Sequence, residues 1–180
     1  MDRDIKEVLF SEEEIKAKVK EIATQLNNDF KGEEVIMVCV LKGSLPFYAD
    51  LIRLLEFPVA FDMVCVSSYG ASATSSGKLN IKLDSGVSFE GKNVVIVEDI
   101  LDTGNTLTNL FEHFKSKNPK TMKLCCLLDK PSRRIRDIYA DYVGFQIPDE
   151  FVVGYGLDYD EKYRQLPYIG ILKREIYENN

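Results

Sequence analysis

Residues 94–106, VVIVEDILDTGNT, carry the chain from an unbroken apolar run into three carboxylates within five positions: Glu98, Asp99 and Asp102. Like charges this close repel, and burial raises the cost of the charged form further. A cation, or a group rich in hydroxyl donors, is expected between them. Beyond the acids, Thr103, Gly104, Asn105 and Thr106 lead into a helical pattern. The first turn of a helix presents unpaired backbone N–H groups and the positive end of the helix dipole, and both favour an anion. Gly104 lets the backbone approach a ligand closely, and Thr103 and Thr106 add hydroxyl donors. A phosphate seat beside carboxylates that accept from hydroxyls matches the groups of a ribose 5-phosphate. Asp102 alone reads equally well as a helix N-cap. Three acids around a Thr-Gly turn after an apolar strand are harder to explain that way. Neither GxxxxGK[ST] nor GxGxxG occurs, so neither a Walker-type loop nor a dinucleotide fingerprint is indicated.

Several elements must position this segment. In open parallel sheets ligands bind beyond the carboxyl ends of the strands, so 94–99 is expected to be a strand ending at the site. Residues 35–41 and 122–128 are similar short apolar runs, as expected of strands buried on both faces, and 58–67 reads as a further strand. Ser11 followed by Glu14 has the form of a capping box. Ile15, Val19, Ile22, Ala23 and Leu26 then recur at helical spacing, until Asn27, Asn28 and Gly32 end the helix. A second helix is expected near 45–55, with Pro46 in its first turn, and a third over 106–117, with Leu107, Leu110, Phe111 and Phe114 on one face. Short strands are expected at 141–146, 151–153 and 169–172. Residues 69–87 are rich in glycine, serine and lysine and read as a long loop with a weak hairpin inside. Strands alternating with helices imply a single α/β domain around a mostly parallel sheet flanked by helices.

The rest of the composition narrows the class. The 180 residues suit one domain with a real core, and a net charge of −6 argues against a nucleic-acid coat. No apolar run approaches the roughly 20 residues of a membrane span, and the N-terminus MDRDIKEVLF lacks a signal peptide's apolar core, so a cytoplasmic location is expected. Cys39, Cys65, Cys125 and Cys126 have no CxxC spacing and read as small buried hydrophobes. His113 is the only histidine. It falls on a helical stretch, partly exposed, and a Ser–His or Cys–His hydrolase would have to use it.

The stretch VVIVEDILDTGNT resembles the phosphoribosyl-pyrophosphate signature of the type I phosphoribosyltransferases. LKGS (41–44), SSYG (67–70), DKPSRR (129–134) and the block 143–172 resemble the 6-oxopurine, hypoxanthine–guanine branch, in its bacterial form. Asn105 departs from the lysine that relatives often carry in DTGKT. The resemblance implies transfer of phosphoribose from phosphoribosyl pyrophosphate to hypoxanthine or guanine, with Mg²⁺ as cofactor. It implies one domain, 1–180, with a core at about 10–140 and a purine-binding hood made from the N- and C-terminal segments. Small-molecule substrates, a homodimer or homotetramer, and neither nucleic-acid nor membrane partners follow from it.

The resemblance also implies roles, residue by residue. Glu98 and Asp99 would take the ribose hydroxyls. Asp102 to Thr106 would hold the 5′-phosphate, with Asp102 also the general base at N7. Lys42, Gly43 and Arg164 would meet pyrophosphate, and the family often has a cis peptide at Leu41–Lys42. Lys130 would reach the purine O6, Phe151 would stack on the ring and the Val152 backbone would read its edge. Asp158, with Glu98 and Asp99, would serve the metal, and Ser68 and Tyr69 would ride a flexible loop. On the residues alone, Phe151 reads as core, Lys130 as a solvated strand end, Lys42 as an ordinary turn residue, and Asp158 and Arg164 as surface charges. Two rivals stay open: a non-catalytic sensor on the same fold, and a transferase for adenine, xanthine or a pyrimidine.

Overall fold

The computed structural model describes residues 2–67 and 80–178. The strands among them are β1 (Ile5–Phe10), β2 (Val35–Leu41), β3 (Val59–Ser67), β4 (Asn80–Leu83), β5 (Asn93–Leu101), β6 (Thr121–Asp129), β7 (Tyr142–Gln146), β8 (Val152–Val153) and β9 (Ile169–Leu172). The helices are α1 (Glu12–Asp29), α2 (Leu45–Ile52), α3 (Asn105–Lys115) and α4 (Arg174–Tyr177). No helix among the described residues is long and apolar enough to cross a membrane.

The main sheet has the order β4-β3-β2-β5-β6-β7 and is parallel except for β4, which runs antiparallel to β3. Its strands alternate between two buried faces. Val35, Met37 and Cys39 belong to the core beneath α1 and α2, while Ile36, Val38 and Val40 belong to the core beneath α3. Burial on both sides explains why β2, β5 and β6 read as continuous apolar runs. The chain leaves β2 toward β3 on one side and returns as β5 on the other, so a crevice opens between the carboxyl ends of β2 and β5.

Local rules account for most boundaries. Ser11 caps α1, with the Glu14 N–H donating to Ser11 Oγ at 3.3 Å and the Ser11 N–H donating to Glu14 Oε2 at 2.8 Å. Pro46 sits in the first turn of α2. Several features differ from the sequence reading. α1 runs through Asn27 and Asn28 to Asp29, so of the expected stop residues only Gly32 lies beyond it, and Cys65 is half-buried rather than buried. β5 runs on to Leu101, so Glu98 and Asp99 lie within its last stretch rather than at its tip. The first described residues of the 69–87 stretch form a strand, β4, whose partner is β3 outside that stretch. β1 was not anticipated: it pairs antiparallel with β9, which pairs with β8, forming a small second sheet from the two ends of the chain.

Candidate active site

Glu98 and Asp99 meet the crevice from β5. Glu98 is only 9% exposed. Its Oε1 accepts from the Asp99 N–H at 3.0 Å, and Asp99 Oδ1 accepts from the Ile100 N–H at 2.6 Å. Burial pushes the Glu98 carboxyl well above the usual carboxylate range, and the neighbouring Asp99 charge raises it further. Burial also raises Asp99, against the pull of local N–H donors and the Arg164 charge. Two acids that resist full ionisation form a site that prefers hydroxyl donors or a cation. Across the crevice, after β2, a Cβ on Gly43 would lie 1.6 Å from Asp99 Oδ2, so only glycine leaves room for that carboxylate. The Leu41–Lys42 peptide is cis.

The turn after β5 delivers a bare helix start. Gly104 is the N-cap of α3 with a left-handed φ of +84°, and no side chain caps the helix. Asp102 is therefore not the N-cap. A Cβ at Gly104 would come within 2.7 Å of Ile138, so the position is glycine for both conformation and space. The exposed N–H groups and Thr103, Gly104 and Thr106 line a cleft of about 300 Å³, together with Lys42, Gly43, Glu98, Asp99, Asp102, Asp158 and Arg164. Asn105 does not line it. Its Oδ1 accepts from Arg136 Nε at 2.7 Å, and its N–H reaches Thr103 Oγ1 only at 3.4 Å.

A second lobe of about 270 Å³ shares Asp99, Ile100, Asp102 and Asp158 with the first and adds Lys130, Arg133, Phe151, Val152 and Leu157. Here the structure reverses two readings made from the residues alone. Lys130 is not a solvated strand end: it is 5% exposed, and its Nζ donates to the Glu150 carbonyl at 2.8 Å, with Asp149 at 3.8 Å. Phe151 is not core: it is 37% exposed, with one face stacked on Tyr177 at 4.9 Å. Val152 sits in β8 beside it.

Asp102 stands where the lobes join. Its Oδ1 is buried and accepts no hydrogen bond; Arg133 Nε lies 3.2 Å away without the alignment of one. The backbone around it is fixed by Arg134. That guanidinium donates to the carbonyls of Leu101 (3.1 Å), Asp102 (2.9 Å) and Ile138 (2.6 Å) and binds the Asp129 carboxylate. Sequence reasoning missed the separate tasks of Arg133 and Arg134, whose only signal was the DKPSRR block. It missed Leu157 and Glu161 as well. On the rim Lys42 pairs with Glu161, and Arg164 pairs with Asp158 at 2.9 Å and donates to the Gly156 carbonyl. Ser68 and Tyr69 lie outside the described residues.

Other reactive groups stand apart from both lobes. All four cysteines are free, and burial pushes the Cys39 thiol to about 11 and lifts Cys125 and Cys126 as well, so none of these three is a ready nucleophile. His113 Nε2 lies 2.9 Å from Asp84 on the far end of α3.

The oxygen-rich cleft suits a hard cation. No cluster of three or more metal-binding side chains is poised among the described residues. Asp99 and Asp158 nevertheless border both lobes, and of the raised acid pair of β5 only Asp99 feels a cation, the Arg164 guanidinium. Mg²⁺ suits such an arrangement, because it takes one or two carboxylates, keeps several waters and completes its shell with substrate phosphate oxygens.

A small-residue turn into a bare helix start, beside acids at the switch point of a parallel sheet, has the form of a seat for an anion next to groups that accept from hydroxyls. The family model described as "Phosphoribosyl transferase domain" matches residues 7–160, and the chain belongs to that family. It is 51% identical over 179 residues to the hypoxanthine-guanine phosphoribosyltransferase of Bacillus subtilis, covering 99% of each. It is 49% identical over 177 residues to the enzyme of the same name from Streptococcus thermophilus, covering 98% of each. The crystal structure of a hypoxanthine phosphoribosyltransferase from Staphylococcus aureus superposes with a TM-score of 0.95 at 49% identity, covering 98% of this chain and 96% of that one.

Proposed function

We propose that the chain is a purine-salvage enzyme that converts hypoxanthine or guanine, with phosphoribosyl pyrophosphate, to IMP or GMP and pyrophosphate. The observation that carries this reading is the pair of lobes joined at Asp102. One is lined by acids and a bare helix start, the other by a buried lysine and a half-exposed phenylalanine.

Each residue then has a task. The N–H groups and hydroxyls of 103–106 seat the 5′-phosphate, and Glu98 and Asp99 accept from the ribose hydroxyls. Breaking the C1′–O bond builds positive charge on the sugar ring, and the acid pair, ionised once a cation sits beside it, stabilises that charge; groups aimed at developing charge are usually the largest catalytic contribution. Lys42, the Gly43 backbone and Arg164 hold the pyrophosphate. Lys130, held by the Glu150 carbonyl, donates to the purine O6, while the half-exposed Phe151, backed by Tyr177, stacks on the ring and the Val152 backbone reads the ring's edge. Asp102 takes the N7 proton as the new bond forms, and Arg134 keeps its backbone in place. Asp99, Glu98 and Asp158 are the side chains that would hold Mg²⁺, which when bound offsets the pyrophosphate's charge and improves the leaving group.

The four free cysteines agree with a reducing, cytoplasmic compartment. A homodimer or homotetramer completes the reading, and light scattering reads that directly. The activity test is a panel of bases, mixed with protein, donor and Mg²⁺ and followed by ultraviolet absorbance. Hypoxanthine and guanine turn over and adenine does not, because its exocyclic amine offers Lys130 no acceptor. Turnover of adenine, or none with any base, contradicts the reading.

A further inference from the structure

Neither of the two cations assigned to pyrophosphate is idle. Both oxygens of the Glu161 carboxylate accept from Lys42 Nζ, at 3.0 and 2.9 Å, and Oε2 lies 3.4 Å from Arg164 Nη2. Lys42 and Glu161 are 119 residues apart, so chain proximity does not force the contact. The turn that delivers Glu161 is closely specified. Asp160, Glu161 and Tyr163 all have left-handed φ angles, of +52°, +59° and +77°, which side-chain-bearing residues rarely adopt. The Glu161 N–H is tied to Asp158 Oδ2 at 2.9 Å, and a bridge between Tyr159 and Lys162 closes the turn. An exposed carboxylate paired with Lys42 at 2.9 Å is an anion. It lies on the rim, outside the residues lining the cleft, with its side chain 66% and that of Lys42 61% exposed.

A carboxylate in this place adds nothing to sugar recognition. It does occupy Lys42, and it adds a longer contact to Arg164, which Asp158 already pairs with. We propose that Glu161 is an internal stand-in for pyrophosphate, holding Lys42 and Arg164 at the rim until a diphosphate displaces it. This rests on the assignment of Lys42 and Arg164 to the pyrophosphate. The competition weakens binding of the diphosphate in donor and product alike, and so hastens product release. Exposed ion pairs contribute little to folding, so the effect belongs to binding rather than stability.

The test is calorimetric binding of pyrophosphate, in buffer containing Mg²⁺, to the wild type, Glu161→Gln, Lys42→Ala and the double variant, with Glu161→Ala as a second form of the same change. Removing the carboxylate tightens pyrophosphate binding about three- to tenfold, and added salt narrows the gap. Lys42→Ala binds more weakly than wild type, and in its background the Glu161 change gives little gain. Unchanged or weaker binding by both Glu161 variants overturns the stand-in while leaving the pyrophosphate assignment intact, provided Lys42→Ala is weakened. An equal gain with or without Lys42 also overturns it, because the effect is then a diffuse charge. Wild-type affinity in Lys42→Ala contradicts the pyrophosphate assignment itself.

Discussion

The two lobes of the cleft are built in opposite ways. The phosphoribosyl lobe draws its acids, glycine, hydroxyls and bare helix start from one unbroken segment, 98–106, with contributions from the turn after β2 and from Asp158 and Arg164. The base lobe is assembled from pieces far apart in the chain: Lys130 after β6, Phe151 and Val152 at the small sheet, and Leu157 in the turn beyond. Under the proposed function, the first lobe would hold groups common to every phosphoribosyl donor, whereas the second would distinguish one base from another. Local chain geometry suffices for the constant part, and the variable part is carried on segments that can change without disturbing it. Asp102 belongs to both, because it lines the two lobes where they join.

That division can be broken or sharpened by substitution. The largest effect is expected at the shared residue. Asp102→Asn keeps the shape and loses the basicity, so kcat should fall on the order of 10²- to 10⁴-fold. The donor Kd, measured by calorimetry, should stay within about twofold, since the phosphate is held by backbone N–H groups. Near-normal turnover would remove Asp102 as the base.

Lys130→Ala should separate the lobes most cleanly. A hydrogen bond from a charged donor is worth about 1.5–3 kcal/mol, so KM for hypoxanthine should rise roughly 10- to 100-fold. The same steady-state series should leave donor affinity nearly unchanged. An equal loss of donor binding would mean that the lobes are not independent.

The smallest effect is on stability. Glu98 has a raised carboxyl in the folded chain, which therefore keeps a proton that the unfolded chain releases above about pH 4.3. The folded state then binds more protons than the unfolded state, and stability falls as pH rises from that point toward the folded-state value. Glu98→Gln removes this penalty. Its thermal midpoint should exceed the wild type's by about 2–4 °C at pH 8 if the relief is near 1 kcal/mol, and the gain should vanish near pH 4. The same variant should bind the donor more weakly. A midpoint difference independent of pH would show that Glu98 is not a strained acid.

The contrast between the lobes is also the contrast between what the sequence disclosed and what it withheld. The acids, Gly104 and the helix start were legible because their meaning depends only on near neighbours. So was the Ser11–Glu14 capping box, and so were the apolar runs of β2 and β6. Lys130 and Phe151 were misread from their own surroundings, because burial of the lysine depends on a carbonyl 20 residues away and exposure of the phenylalanine depends on the fold of the small sheet. Their roles came from resemblance alone. β1 escaped because its partner, β9, lies at the other end of the chain, and its half-exposed strand shows no clean alternation. The meeting of Glu161 with Lys42 across 119 residues left no trace in either local segment.

In the proposed function, acids late in β5 hold the sugar's hydroxyls while the N–H groups just beyond seat its phosphate and Lys130 reads the base. A crystal structure with IMP or GMP tests it most directly. The 5′-phosphate is expected on the N–H groups of 103–106, the ribose hydroxyls at Glu98 and Asp99, and O6 within hydrogen-bond distance of Lys130 Nζ. A nucleotide bound elsewhere, with those carboxylates and that lysine making no contact to it, would contradict the account.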